Sequence, residues 1–577
     1  MTAPATMTRR DRGVVAGLVL AFALIVGGIA APAFGPAALP TPGPSSPVVE
    51  RRPYREGVLG GAESVNPLTA RTRADEDLVA LVFSGLVALG PGDTLVPGLA
   101  RDWEVDEAGR TWTFTIRSDA QWHDGVPVTA EDVAFTVGIL QDRRYTGPEA
   151  ASWRDVTVEV VDTRTVRFTL ATPIGGFLQA ARQPILPAHL LAEVPIERLG
   201  DDPFSRQPIG SGPYQLVHLD DERAVLEPYL PIPLGPEPSP ASPGDPRETP
   251  VPVPVGPMGY LPGIELHFYA DVASLAAGYE AGDVDAVTGL PVDEATRVGA
   301  LPGSRLLRYP TSTLTAVILN LRVAHPEFRD PRVRAALLKG TDRRRILDEV
   351  YDGRAVTADV PIPPGSWAFD PESGGPTGYD REAATAGLAA ADWKAENGSW
   401  LAPGGDKPVT FDILSPDVST NATTFLAAAS VTADWERLGL RVRHVPLPPA
   451  ELVANRLRTG NFLAAVVDVN VGLDPDLYPL LASTQTTSRG LNIAGVQDRG
   501  LDRALEAARK PGTMDERKAA YKALEKLLAE RQWLIPLAFR DEVVVVRDTL
   551  SGPVPRPISN GSDRYWDVLT WRLAVDR

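Results

Sequence analysis

Six histidines, His123, His189, His218, His267, His325 and His444, are the first candidates for metal or acid–base chemistry. They are scattered along the chain and form no local ligand pair, whereas protein metal sites draw at least two ligands from short, defined spacings. The chain has no cysteine. That removes thiolate ligands, a cysteine nucleophile, disulfides and lipid attachment through an N-terminal cysteine. Gly210-Ser211-Gly212 lacks the Gly-x-Ser-x-Gly spacing of a nucleophile elbow. No glycine-rich loop ends in Lys-Ser or Lys-Thr, the arrangement that cradles phosphates. His123-Asp124-Gly125 reads either as half of a catalytic pair or as a strand-ending turn. Asp-Gly reverses a chain readily, which favours the turn. The carboxylates show no distinctive pairing. A protein that binds rather than reacts is expected, with no catalytic residue, no metal and no cofactor.

The elements that would carry a binding site alternate between two periods. Trp112, Phe114 and Ile116 alternate with threonines, as a half-buried strand does. Val166, Phe168 and Leu170 do the same, as do Ile264, Leu266 and Phe268. Thr129 and Asp132 have the spacing of a helix-capping box, followed by Val133, Val137 and Leu140 at helical spacing. Asp330-Pro331 starts another helix and Gly340 stops it. The next turns Ile346, Leu347 and Val350 inward and ends at Gly353. Asp380 caps a helix expected to run through Leu388 to Trp393. Residues 514–533 place Tyr521, Leu524 and Leu528 on one face, and residues 542–546 form a late strand. Mixed strands and helices without a repeat predict α/β lobes.

The 577 residues carry a net charge of −17, so a nucleic-acid partner is not expected. Residues 1–12 end in an arginine cluster. Residues 13–34 are uncharged and largely apolar, about 33 Å as a helix against a hydrocarbon core of about 30 Å. Flanking positive charge predicts the N-terminus inside and all that follows outside. The segment reads as a transmembrane anchor or a signal segment, and residues 36–49 as a stiff proline-rich tether. Residues 228–262 hold 13 prolines and read as an exposed insertion.

The run at 95–140, LVPGLARDWEVDEAGRTWTFTIRSDAQWHDGVPVTAEDVAFTVGIL, resembles the signature region of the bacterial extracellular solute-binding proteins, family 5. This is the peptide- and nickel-binding group of ABC importer receptors. REGVLGGAESVNPLTA (55–70), IGSGPYQL (209–216), AGDVDAV (281–287) and the helix pair at 328–355 are similar to further family motifs. PIPPGSWAFDP (361–371), YDREAATAGLAAADW (379–393), LDPDLYPL (473–480) and LNIAGVQDRGLDRALEAAR (491–509) follow in the family's order.

The resemblance implies a type II periplasmic-binding-protein clamshell with an extra subdomain. Lobe I would take about 50–75, 199–305 and 535–577, the subdomain about 76–198, and lobe II about 306–534. The chain would cross between lobes near Arg308 and Gln532. The implied function is extracytoplasmic capture of a peptide or similar solute and its delivery to an ABC permease, by a monomer that the N-terminal segment leaves either anchored to the membrane or secreted. A membrane-anchored sensor or scaffold using the same clamshell is the other reading. In peptide-binding members an aspartate three residues before the Asp474-Pro475 pair holds the peptide ammonium. Here that position is Val471, and an upstream aromatic is Val469. Peptides, sugars, opines, nickel chelates and other amines all stay open as ligands. The expected ligand contacts are Ser64 and Asn66 from lobe I, Thr313 beside the hinge, and Trp367, Asp468, Asn470 and Asp474 from lobe II. Trp367 offers a stacking face. Asp468 and Asp474 would favour a ligand with one positive centre.

Overall fold

Apolar alternation in short strands and continuous apolar runs in long ones build one large mixed sheet. The computed structural model describes residues 52–92, 94–145, 147, 149–229, 261–373, 377–486 and 490–574. The expected membrane segment and tether lie outside the described residues, as does most of the proline-rich insertion. Among the described residues no helix is long and apolar enough to cross a membrane.

The sheet has 11 strands. In chain order they are β1 (Tyr54–Leu59), β2 (Tyr214–Leu219), β3 (Arg223–Pro228), β4 (Ile264–Tyr269), β5 (Ala286–Thr288), β6 (Ser304–Leu319), β7 (Ala355–Thr357), β8 (Thr410–Pro416), β9 (Arg441–Leu447), β10 (Ala464–Asn470) and β11 (Ile535–Arg547). Their spatial order is β9-β8-β10-β6-β11-β5-β1-β4-β3-β2, with β7 pairing β11 off this path. β1 runs parallel to β4 and β5, and β8 parallel to β9 and β10. β6 is antiparallel to both its neighbours, β10 and β11.

β6 and β11 are long for strands, at 16 and 13 residues, and they join two cores. Leu314 and residues 316–319 of β6 share a core with Ile535, Leu537, Ala538 and Phe539 of β11, the helices of residues 331–437 and strands β8 and β10. Leu307 and Tyr309 of β6 share the other core with Val544 and Val546 of β11, strands β1, β3 and β4, and a separate four-stranded antiparallel sheet. In that smaller sheet Thr111–Ile116 buries Trp112, Phe114 and Ile116, as the alternation requires.

The helix signals translate into caps. Helix α1 is Arg73–Val82, and Thr72 and Asp75 cap it reciprocally. Helix α2 is Ala130–Gln141. The Asp132 carboxylate of its capping box accepts from the Thr129 backbone N–H at 2.8 Å and from the Ala188 N–H at 2.8 Å, tying the helix start to a later turn. Asp330 caps α3 (Pro331–Lys339) through the Arg332 N–H. In α4 (Arg343–Tyr351), Ile346 and Val350 are buried. The helix starting after Asp380, α5 (Arg381–Ala390), stops before Trp393. Asp392 at φ 64° turns the chain back and sends Trp393 into the core ahead of a short hairpin. The late strand expected at 542–546 is the end of β11, whose earlier half is apolar on both faces and so carries no alternation to read. His123-Asp124-Gly125 is a turn, with Gly125 at φ 85°. His123 Nδ1 accepts from the Gly210 N–H at 3.2 Å. A Cβ on Gly210 would sit 1.9 Å from the Val82 carbonyl oxygen, so only glycine fits.

A buried ionic cluster pins the chain ends of the second core. Arg564, 1% exposed, donates to Glu56 on β1 at 2.7 Å and to both Asp77 oxygens on α1 at 2.6 and 2.7 Å. Tyr54 and Tyr565 hydroxyls donate to Glu56 as well. Burial alone would lift the Asp77 carboxyl, but Arg564 and Arg73 hold it below its ordinary value. Removing the cation strands two buried carboxylates. Arg564→Met is expected to lower stability by about 3–5 kcal/mol, the scale for breaking a buried ion pair, as read by urea unfolding. A loss below about 1 kcal/mol would contradict this role.

Candidate functional site

The site begins with a bulge. The β6–β11 ladder pairs Pro310 with Asp541, then resumes at Leu314 with Phe539. Pro310 has no N–H to offer, and the skipped backbone groups find partners elsewhere. The Ser312 N–H donates to the Ile558 carbonyl at 3.0 Å, and the Ile558 N–H donates to Pro310 O at 2.9 Å. The Thr311 hydroxyl donates to Arg540 O at 2.8 Å. The two strands part, and a cavity of about 250 Å³ opens between them, the 363–366 turn, Leu473 and Pro557. Its wall is largely apolar, with the Pro363, Pro364, Val356 and Phe539 side chains among its residues. Thr311, Ser312, Ser366, Arg540 and Asp541 are its polar members.

Two charge pairs flank the cavity. Arg540 lies 3.3 Å from Asp468, and Arg308 lies 2.6 Å from Asp541. In both the aspartate is the buried member: side-chain exposures are 38% for Arg540 against 16% for Asp468, and 47% for Arg308 against 7% for Asp541. Burial lifts the Asp541 carboxyl above its ordinary value, partly offset by Arg308.

Of the seven expected contacts, none lines the cavity itself. Five stand immediately behind its wall. Thr313 pairs with Asn470, and Thr315 with Asp468, along β6 and β10. Asp468 accepts from the Thr315 hydroxyl at 2.7 Å and the Asn421 amide at 3.1 Å. Asn470 accepts from the Ser312 hydroxyl at 2.9 Å and donates to Ser559 O at 2.6 Å. Asp474 follows Leu473, and Trp367 follows Ser366. Arg517 joins these last two: it donates to both Asp474 oxygens at 2.8 and 2.9 Å and stacks 4.4 Å over the Trp367 ring. Trp367 also meets Tyr521 edge-on at 5.1 Å. Ser64 and Asn66 lie elsewhere, in the turn before α1. The Ser64 N–H donates to Asp75, and Asn66 Oδ1 accepts from the Leu68 N–H. Arg540 and Thr311 are not among the expected contacts, and the 363–366 turn is expected only as part of the motif at 361–371. The one signal for Arg540 was its place as the first charge after the apolar run IPLAF.

The small-sheet region also touches the 474–517 segment. The Gly175 N–H donates to Arg509 O at 2.8 Å, and a Cβ on Gly176 would sit 3.0 Å from the Asp474 carboxyl carbon. The cavity offers a solute apolar surface together with the polar residues Thr311, Ser312, Ser366, Arg540 and Asp541.

The described residues form an α/β fold around a mixed sheet, with a partly open cavity where its two long strands part. Residues 94–490 match bacterial extracellular solute-binding proteins, family 5. The chain is 24% identical over 525 residues to an oligopeptide-binding protein, AppA, of Bacillus subtilis, covering 90% of this chain and 91% of that one. It is 29% identical over 502 residues to protein XP55 of Streptomyces lividans, covering 86% and 85%. Among solved structures, NikZ from Campylobacter jejuni in complex with Ni(L-His) superposes with a TM-score of 0.69 at 23% identity, covering 90% of this chain and 99% of that one. The chain belongs to the bacterial extracellular solute-binding proteins, family 5. It is a solute-binding receptor and not an enzyme.

The cavity wall depends on helix α6, Met514–Arg531, which supplies Arg517 and Glu525. Glu525 is fully buried and accepts from the Asp370 N–H at 3.0 Å, fixing the loop that carries the 363–366 turn. Burial pushes its carboxyl up to about 8 from 4.5. Between these values the folded chain keeps a proton that the unfolded chain has lost, so stability falls as pH rises through that window. Glu525→Gln keeps an acceptor oxygen and removes the titration. Its melting temperature relative to the wild type should rise between about pH 4.5 and pH 8. Parallel melting curves across that window would contradict the buried, protonated carboxyl.

Proposed function

We propose that this chain captures a small polar solute outside the cytoplasm and delivers it to an ABC permease. The observation that carries this reading is the cavity at the point where β6 and β11 part between two cores. In this reading lobe I comprises about 50–75, 199–305 and 535–577, the subdomain about 76–198, and lobe II about 306–534. Core membership along the two strands supports crossings at residues 309–314 and 539–543, a few residues beyond the expected ones near Arg308 and Gln532, which moves about 535–538 from lobe I to lobe II. A solute touching both lobes is bound fully only in the closed form, so binding shifts the population toward closure.

The relatives support the class of ligand rather than its identity. One is named for oligopeptides and one structure holds Ni(L-His). The uncharged 13–34 segment behind an arginine cluster supports export, with the N-terminus as a membrane anchor or a cleaved signal. The receptor then works as a monomer beside its permease.

Native mass spectrometry of the protein purified from its own cells tests the reading. A stoichiometric small solute is expected, absent after unfolding and refolding in clean buffer. In the same cells, deleting residues 1–35 should leave the chain in the cytoplasm, still folded. A deleted chain that is exported, or a native protein that never carries a solute, would contradict the proposal.

A further inference from the structure

In a chain that is acidic overall, the cavity wall carries one charge of each sign, Arg540 and Asp541. The protein carries −17, and the cleft aspartates Asp468, Asp474 and Asp541 look in isolation like sites for an amine. Each already has a cation. Asp474 is held by both Arg517 nitrogens. Asp541 is held by Arg308. Asp468 takes a hydroxyl, an amide and the Arg540 guanidinium.

Arg540 is different. Its one ion pair, to Asp468 at 3.3 Å, is loose, and its guanidinium makes no protein hydrogen bond among the described residues. It lines the cavity with 38% of its side chain exposed. A guanidinium presents five donors in a planar fork that matches a carboxylate. Arg540 therefore has donors to spare on the cavity side, while Asp468, seated behind it, fixes its position. The rest of the wall is mostly apolar, with Pro363, Pro364, Val356, Leu473 and Pro557; its one carboxylate, Asp541, is already held by Arg308. At about 250 Å³ the space falls just below the range of about 300–1,000 Å³ usual for drug-sized ligands.

We propose that Arg540 is the specificity-determining residue of the cleft, and that the solute is a short molecule anchored by a carboxylate and not by an ammonium group. This rests on the receptor reading above and names the chemistry of its site. The overall negative charge works against an anion only at long range, since salt screens exposed charges beyond about 8 Å at physiological ionic strength. Inside the cleft the nearest unsatisfied donors decide.

The test uses three pools of one dipeptide mixture offered to the full chain stripped of bound solute. The first is unmodified, the second N-acetylated so that only the carboxylate is charged, and the third amidated so that only the ammonium is charged. Calorimetry and melting temperature are the readouts. Unmodified and acetylated pools should bind and stabilise, and the amidated pool should not. Arg540→Gln should weaken the acetylated pool on the order of 10- to 100-fold, as expected for losing a charged hydrogen-bond partner. Arg540→Lys should recover part of that loss, and Asp468→Asn should keep binding within about tenfold, because the aspartate only positions the guanidinium. Amidated peptides binding as well as acids, unchanged affinity in Arg540→Gln, or no binding by either acid pool would each overturn the proposal. Native mass spectrometry separates the two failures. A bound solute without a carboxylate overturns the anion anchor alone, whereas no bound solute of any kind removes the receptor reading with it.

Discussion

The antiparallel pairing of β6 with β11 is the constraint on which the rest of the molecule depends, because these two strands carry the chain between its larger cores. A ladder of this length resists bending while every pair is made. It is interrupted between Pro310 and Leu314, where proline removes a donor and the ladder slips. Buried backbone groups left unpaired there would be costly. They are satisfied by the Ile558 segment and by the Thr311 hydroxyl on Arg540 O, so the break is stable without being continuous. The same break opens the cavity. A hinge needs only a few residues that can absorb a change in φ and ψ, and residues 310–313 opposite 539–541 have that character.

Charge is arranged in layers around this break. Deep in the second core, Arg564 neutralises Glu56 and Asp77 and ties β1, α1 and the C-terminal turn together. Nearer the cavity, each aspartate is backed by an arginine that is at least as exposed as its partner. The cavity wall itself presents one guanidinium, Arg540, and one carboxylate, Asp541, among mostly apolar residues, although the sequence as a whole is acidic. Net charge describes the surface at a distance, and the cleft is governed by which member of each pair faces inward.

Much of the architecture was legible in the sequence. The Thr111–Ile116 alternation, the Thr129–Asp132 box and the Asp330-Pro331 helix start are local signals, and local physics realises them. The ordered motifs from 55 to 509 gave the family. The site was harder, because its partners are set by register and packing rather than by neighbourhood. Asp468 and Asp474 were picked out for their charge, but the arginines that neutralise them stand at 540 and 517, on a strand and a helix the local pattern does not connect to them. Trp367 looks like a free stacking face until Arg517 and Tyr521 are seen against it. The Pro363-Pro364 pair stands in the motif at 361–371 with no sign of its place, and it lines the cavity. Ser64 and Asn66, chosen for polarity, serve the turn that starts α1.

The central claim is that the β6–β11 break is a hinge that closes over a solute. The chain has no native cysteine, so two exposed positions, Val105 in the small sheet and Val418 beyond β8, can be exchanged for cysteine and spin-labelled without background. Pulsed electron-spin distance measurement on the natively purified and the stripped protein reads the opening directly. The account predicts a single narrow distance in the solute-loaded protein and a broader, longer distribution once the solute is removed. Identical narrow distributions in both states would contradict it, leaving a rigid sheet in place of a hinge.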